Sequence, residues 1–69
     1  MMIDSRGRKL KVGQKVRIEK NIPSVDGMLH ENTLVTIDEV GFPDKDMRVK
    51  DDLGKIWYIN FSDVSASFL

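Results

Sequence analysis

The alternating segment KLKVGQKVRI, residues 9–18, is the clearest sign of secondary structure in this chain. Its even positions are mostly apolar and its odd positions mostly charged, which is the two-residue period of a strand with one dry face and one wet face. Helical spacing would place few of these apolar residues on one stripe. We therefore predict a strand over residues 9–18, with Gly13 and Gln14 forming a bulge or a tight bend near its middle.

Four more strands are predicted from alternation and β-branched content, over residues 33–40, 47–50, 55–59 and 64–69. Residues 20–31 are predicted to form a long irregular loop. A tight turn is expected at residues 51–54 and one 3₁₀ turn at residues 60–63. Five short strands in a single domain spanning residues 1–69 indicate an all-β fold that forms a small closed or nearly closed barrel.

The opening DSRGRKLKVGQKVRI, residues 4–18, resembles the pattern D-x-x-G-x-x-L-x-x-G-D-x-V-x-V with which several small barrel domains begin. Such starts occur in KOW-type modules, in the C-terminal domain of PhnA-like proteins and in small phage-encoded proteins. Gln14 stands where Asp is usual. The order of elements is similar to that of SH3-like barrels, with a long first loop, a tight hairpin and a short turn before the last strand. The resemblance implies a five-stranded SH3-like barrel of phage or prophage origin, and KOW modules bind RNA or ribosomal partners.

The resemblance does not extend to SH3 domains that bind proline-rich peptides. Those domains carry a tyrosine-rich segment before their long loop and a pair of tryptophans, which together build a groove for proline. In this chain Trp57-Tyr58 is the only adjacent aromatic pair, and no tyrosine cluster precedes the long loop. Binding of proline-rich peptides is therefore unsupported by the sequence.

Composition limits the chain to one small domain without covalent cross-links. The 69 residues include no Cys and one His, so the apolar core must supply the stability by itself. The N-terminus has no apolar run behind a basic start, as a signal peptide would. No apolar stretch approaches the roughly 20 residues of a membrane span. We therefore expect a soluble cytoplasmic protein that does not act in a membrane.

The net charge of zero conceals an uneven distribution along the chain. Residues 1–20 hold seven basic and two acidic residues, whereas residues 21–69 hold four basic and nine acidic ones. The two segments therefore carry net charges of +5 and −5. Such a division arises where two halves of one domain face each other, since opposite charges across strands stabilise a sheet. It also arises where one segment forms a charged binding surface.

Catalytic and metal-binding residues are scarce. The single histidine, His30, lies in the predicted loop, and a filled small barrel offers no pocket for a catalytic group. The acidic pairs at residues 44–46 and 51–52 lie in predicted turns, where Asp is favoured for backbone hydrogen bonding. Without Cys and with one His, a structural zinc site is excluded. We expect no enzymatic activity, no catalytic residue, no metal and no cofactor.

A basic stripe is the first candidate site. Alternate side chains of a strand share a face, so the basic residues of the first strand project together, and two arginines extend the stripe at the preceding turn. Such a stripe suits the phosphates of RNA or DNA, although the sequence pI of about 6.5 is low for a nucleic-acid binder. The candidate nucleic-acid-binding residues are Arg6, Arg8, Lys9, Lys11, Lys15 and Arg17.

Apolar residues of the long loop and the aromatic residues form the second candidate site. Trp57 and Tyr58 are adjacent on a strand, so one faces the core and the other is a candidate anchor for a partner. Val25 and Leu29 either plug one end of the barrel or contribute to an exposed apolar patch rimmed by charge. The candidate protein-binding residues are Ile22, Met28, Phe42, Trp57 and Tyr58.

The alternation also predicts the core. We expect it to contain Ile3, Leu10, Val12, Val16, Ile18, Val35, Ile37, Val49, one of Trp57 and Tyr58, Ile59, Phe61, Val64, Ala66 and Phe68. The whole pattern predicts a non-catalytic binding or adaptor module that contacts a partner protein and is a monomer or a weak oligomer. The alternative is a nucleic-acid-binding barrel that uses the basic N-terminal hairpin.

Overall fold

A computed structural model of the chain describes residues 2–25 and 27–67. Seven strands and one 3₁₀ helix follow one another within these residues. They are β1 (Lys15–Ile18), β2 (Ile22–Ser24), β3 (Gly27–Leu29), β4 (Leu34–Val40), β5 (Met47–Lys50), β6 (Ile56–Ile59), the 3₁₀ helix η1 (Phe61–Asp63) and β7 (Val64–Ala66). In the described part of the chain, no helix is long and apolar enough to cross a membrane.

Five of the strands form one antiparallel sheet in the order β6-β5-β4-β1-β7. The predicted all-β fold with five strands in a sheet is therefore confirmed. The end strands β6 and β7 are not neighbours in this order, so the sheet is not a closed barrel.

The N-terminal turn covers the outer edge of β7. The Asp4 carboxylate accepts a 2.7 Å hydrogen bond from the backbone N–H of Ala66. The N–H of Ser5 donates to the carbonyl oxygen of Val64 at 2.9 Å. These bonds occupy the backbone groups that a further strand would need, which is a physical reason why the sheet does not close at β7.

Residues 20–31 were predicted to form an irregular loop, but part of this segment is a β-hairpin. Strands β2 and β3 pair in antiparallel register, with Pro23 opposite Met28 and Ser24 opposite Gly27. Gly27 has a φ of 136°, a conformation that favours glycine at a tight turn. The Asn21 side chain accepts a 2.8 Å hydrogen bond from the N–H of Glu31 and so ties the ends of the segment together.

The predicted strand over residues 9–18 is divided by a turn. Gly13 has a φ of 91°, and the N–H of Gln14 bonds to the carbonyl oxygen of Lys11 at 3.1 Å. Strand β1 begins only at Lys15. The turn rotates Val12 out of the alternation, so Val12 is 52% exposed and its predicted place in the core is wrong.

The core lies on one face of the five-stranded sheet. Trp57 is 8% exposed and Tyr58 is 49% exposed, so Trp57 is the member of the pair that faces inward. Ile3 and Phe61 are half-buried, and Phe68 lies outside the described residues. The buried apolar residues are Leu10, Val16, Ile18, Leu29, Val35, Ile37, Met47, Val49, Trp57, Ile59, Val64 and Ala66.

Met47 was not predicted to lie in the core, and Leu29 was expected there only if its segment plugs the end of the barrel. Met47 begins β5 opposite Val40 and Ile59, and Leu29 ends the β2–β3 hairpin that the sequence did not indicate. Leu29 is 2% exposed, as expected if the segment plugs the core, whereas Val25 is fully exposed at the hairpin tip.

Candidate protein-binding groove

The outer face of the β4–β5–β6 portion of the sheet carries an aromatic pair. The Phe42 and Tyr58 rings meet edge to face, with centroids 5.2 Å apart and an interplanar angle of 86°. Tyr58 stands on β6, whereas Phe42 follows β4 in the connection to β5. A T-shaped contact is a favoured arrangement for two aromatic rings, so the pair forms a fixed wall.

The Arg48 side chain packs against this aromatic pair. Its guanidinium carbon lies 5.5 Å from the centroid of the Phe42 ring, within the range of a cation–π contact. Its Nε donates to Asp38 at 2.7 Å and its Nη2 donates to Glu39 at 3.1 Å. A side-chain hydrogen bond with Tyr58, followed by that with Asp38, raises the pKa of Arg48. The arginine therefore stays charged and fastens the two aromatic residues to β4.

The irregularity in β4 explains this arrangement. The β4–β5 register shifts between Ile37 and Glu39, which leaves Asp38 without a direct partner on β5. A bulge of this kind redirects a side chain. Here the Asp38 and Glu39 carboxylates both reach Arg48, and the charged cluster lies beside the aromatic wall.

Two adjoining grooves flank Tyr58. The first has a volume of about 330 Å³ and lies in the β4–β5 connection, with Phe42, Pro43, Asp44 and Lys45 on its walls. The second has a volume of about 340 Å³ and separates β6 from the tip of the β2–β3 hairpin. Lys45 and Tyr58 line both. The second groove is lined by Ile22, Pro23, Ser24, Val25, Lys45, Ile56, Trp57 and Tyr58.

The turn before β6 fixes Trp57 at the floor of the second groove. The indole Nε1 donates to the Asp51 carboxylate at 3.1 Å, and the Lys55 ammonium lies 4.4 Å from the ring centroid. The other Asp51 oxygen accepts the N–H groups of Leu53 and Lys55, each at 2.9 Å. The bond from Trp57, together with these backbone bonds, lowers the pKa of Asp51 despite partial burial. Asp51 is thus an ionised turn residue that positions the tryptophan.

The structure brings together four of the five predicted protein-binding residues. Ile22, Phe42, Trp57 and Tyr58 line the two grooves, whereas Met28 lines neither. Met28 is nevertheless exposed, opposite Pro23 on the hairpin. The lining residues that were not among the predicted candidates are Pro23, Ser24, Val25, Pro43, Asp44, Lys45 and Ile56.

The predicted basic stripe is partly neutralised by one acidic residue. Glu19 lies 3.6 Å from Arg6 and 3.2 Å from Arg17. A hydrogen bond from Ser65 is the largest influence on Glu19, and with the two arginines it lowers the pKa of the carboxyl against the effect of burial. The six predicted residues are exposed. Within residues 2–25 and 27–67, Lys9, Lys11 and Lys15 make no ion pair.

The described residues show no constellation for metal binding. No group of three or more His, Asp or Glu side chains among them could hold an ion. The Asp46 carboxylate instead accepts the N–H of Phe61 at 3.0 Å, and His30 is exposed in the connection after β3. The Asp46 carboxylate therefore joins the β4–β5 connection to η1, and the Asp51 carboxylate closes the β5–β6 turn.

Comparison of the chain with protein-family models, with curated proteins and with solved structures gives no match.

Proposed function

We propose that this domain is a small non-catalytic binding module whose two adjoining grooves receive part of a partner protein. The observation that carries the proposal is the convergence of Phe42, Trp57, Tyr58 and two prolines on one surface around Lys45. Aromatic residues dominate the binding energy of many protein interfaces. Lys45 supplies a charge at the junction of the two grooves.

The groove needs little rearrangement to bind. Phe42 and Tyr58 are held by each other and by Arg48, and Trp57 is held by Asp51. Binding then orders few side chains, which reduces the entropic cost of association. A low entropic cost is important here because a small domain can offer only a small interface.

We also propose that the domain is SH3-like, and the order of its elements along the chain supports this. Along the chain, the elements follow the order expected of such a domain: the β2–β3 hairpin comes first, then the tight β5–β6 turn, then the 3₁₀ helix before β7. A phage origin and a cytoplasmic site of action belong to the same proposal and rest on the amino-acid sequence alone.

A capture experiment with matched variants tests the proposal. The tagged domain and its Tyr58→Ala, Phe42→Ala and Leu53→Ala variants are incubated with nuclease-treated host lysate, and bound proteins are identified by mass spectrometry. Leu53 is an exposed apolar residue in the β5–β6 turn that lines neither groove, so Leu53→Ala is the control. We expect specific proteins to bind the wild type and the control and to be lost from both groove variants. Equal protein capture by all four would contradict the proposal.

Nucleic-acid binding is the second candidate function, and the exposed lysines on the N-terminal segment favour it. Lys9 and Lys11, with Leu10 and Gln14, line a further groove of about 400 Å³. Lys15 projects from β1 nearby in the sequence. Phosphate contacts by these residues would give an affinity that falls linearly in log K against log[salt]. A gel shift at low salt with single- and double-stranded RNA and DNA tests this candidate, and no shift with any probe would contradict it.

A further inference from the structure

Strand β6 has an outer edge with unused backbone hydrogen-bonding groups. The N–H of Asp51 donates to the carbonyl oxygen of Lys55 at 3.0 Å, so these two residues form a hydrogen-bonded pair at the start of the hairpin. Antiparallel ladders alternate between bonded and non-bonded pairs. In the register of β5 and β6, Trp57 and Ile59 are therefore bonded to β5. The N–H and C=O groups of Ile56 and Tyr58 point away from β5.

These outward groups have no hydrogen-bond partner among the described residues. The opposite edge of the sheet differs, because Asp4 and Ser5 occupy the outward groups of Ala66 and Val64 on β7. Proteins usually cover or disrupt the edges of their sheets to avoid unwanted strand pairing. One edge of this sheet is covered by a dedicated turn, and the other is left available.

The second groove runs along this available edge. Ile56, Trp57 and Tyr58 are consecutive residues of β6, and all three line it. Successive side chains of a strand point to opposite faces, so a groove that touches three in succession follows the edge of the strand. The β2–β3 hairpin forms its far wall.

We propose that β6 binds an extended segment of a partner protein as an added strand, with the segment's apolar side chains in the groove beside the hairpin. This inference rests on the proposed protein-binding function and specifies its mode. Strand addition of this kind gains affinity from main-chain hydrogen bonds and specificity from pockets for alternate side chains. The groove supplies such pockets between Trp57, Tyr58 and the hairpin prolyl ring of Pro23.

The charge of Lys45 indicates which residues the added segment of the partner carries. Lys45 is the one charged side chain that lines the second groove within residues 2–25 and 27–67, and it is exposed there without an ion pair. A carboxylate on the added strand would pair with it. We therefore infer a segment of alternating apolar residues that carries Asp or Glu near the end that reaches Lys45.

The test uses peptides selected from a random nine-residue display library on the immobilised full-length domain. Binding of a selected peptide is followed by amide hydrogen exchange in NMR spectra. In the free domain, the Ile56 and Tyr58 amides should exchange faster than those of Trp57 and Ile59, which are bonded to β5. On addition of the peptide, the Ile56 and Tyr58 amides should become protected.

A backbone variant separates strand addition from side-chain contact. Ile56→Pro removes an N–H that points away from β5, at the first residue of an edge strand, where proline is tolerated. Ile56→Ala removes the side chain but keeps the N–H and is the matched control. We expect Ile56→Pro to weaken peptide binding at least about tenfold relative to Ile56→Ala. Circular dichroism and the amide spectrum establish that both variants are folded.

The outcomes separate the inference from the proposed function. If peptides bind, lose affinity on Tyr58→Ala, and leave the Ile56 and Tyr58 amides unprotected, the groove is a binding site but strand addition is wrong. Selection of no peptide that depends on Tyr58 would contradict the proposed function itself. Protection that rises with protein concentration in the absence of peptide would overturn the inference in favour of pairing between two copies of this chain.

Discussion

Asp4 joins two segments of the chain that are 62 positions apart. One carboxylate oxygen accepts the N–H groups of Arg6 and Arg8, and the other accepts that of Ala66. Burial alone would raise the pKa of Asp4, but the three backbone donors outweigh burial and hold the pKa below its usual value. The D-x-x-G start of the chain therefore has a structural role, with Gly7 completing the turn at a φ of 81°.

We predict that Asp4→Asn destabilises the domain by about 2–3 kcal/mol, because the amide cannot accept all three bonds and leaves a buried N–H unpaired. Urea denaturation at pH 7 measures the loss. Asp52→Asn is the control, since Asp52 is an exposed turn residue. An equal effect of both substitutions would contradict the role assigned to Asp4.

The same variant has a defined pH dependence. A carboxyl whose pKa is lower in the folded state contributes stability above its unfolded pKa of 3.8, and that contribution is lost as the pH falls through the folded value. The difference in unfolding free energy between wild type and Asp4→Asn should therefore be constant above about pH 5. It should shrink progressively below pH 3.8. A difference that grows in acid would contradict the sign of the pKa shift.

The strands were predictable where alternation was local and uninterrupted. Val16 and Ile18 are buried and Lys15 and Arg17 are exposed, as the two-residue period requires. Val12 fits the same period, yet the turn at Gly13 places it outside the core. A single glycine can therefore end the validity of a pattern that continues through it. The residues alone do not reveal which side of the turn keeps the register.

The groove was predictable only in part because several of its walls come from separate connections. Trp57 and Tyr58 were predictable as a pair of which one faces outward, and Phe42 as an aromatic residue between strands; the structure identifies Tyr58 as the outward one. Lys45 and Pro43 gave no such signal, since a lysine and a proline in a polar turn are ordinary. Their role follows from the pairing of β5 with β6, which brings the β4–β5 connection beside Tyr58. Met28 lies outside the two grooves, opposite Pro23 on the hairpin, and this register was not foreseen from the sequence.

The core seen in the structure gives a prediction for Ile59 on β6 and for Val12 beside the turn at Gly13. Ile59 is 1% exposed, so Ile59→Ala should cost about 2–5 kcal/mol. A domain of this length has only about 3–10 kcal/mol in total, so the melting temperature should fall sharply. Val12→Ala is the control, because the structure places Val12 outside the core and predicts a change within about 0.5 kcal/mol. Thermal unfolding compares the two, and similar losses would contradict the turn at Gly13.

The ion pairs of the described residues form mostly within each of the two oppositely charged segments. Arg6 and Arg17 pair with Glu19 inside the basic segment, and Arg48 pairs with Asp38 and Glu39 inside the acidic one. Between described residues, one ion pair, Lys20 with Asp63, joins the two segments. A charged partner would experience the N-terminal segment as basic, with Glu19 as its internal neutraliser.

The Glu19→Gln substitution distinguishes protein binding at the grooves from nucleic-acid binding at the basic stripe. The substitution keeps an oxygen for the Ser65 hydroxyl but releases Arg6 and Arg17 from their carboxylate. Glu19 lines neither groove, so we expect the affinity for a groove-binding peptide to be unchanged. If the basic stripe binds nucleic acid, the two released arginines would add two phosphate contacts and steepen the slope of log K against log[salt] by about 1.4 for a single strand. Titration of wild type and variant with the peptide and with single-stranded RNA, at several salt concentrations, measures both effects. An RNA affinity that rises on Glu19→Gln while peptide binding is absent would reverse the assignment in favour of the nucleic-acid-binding module.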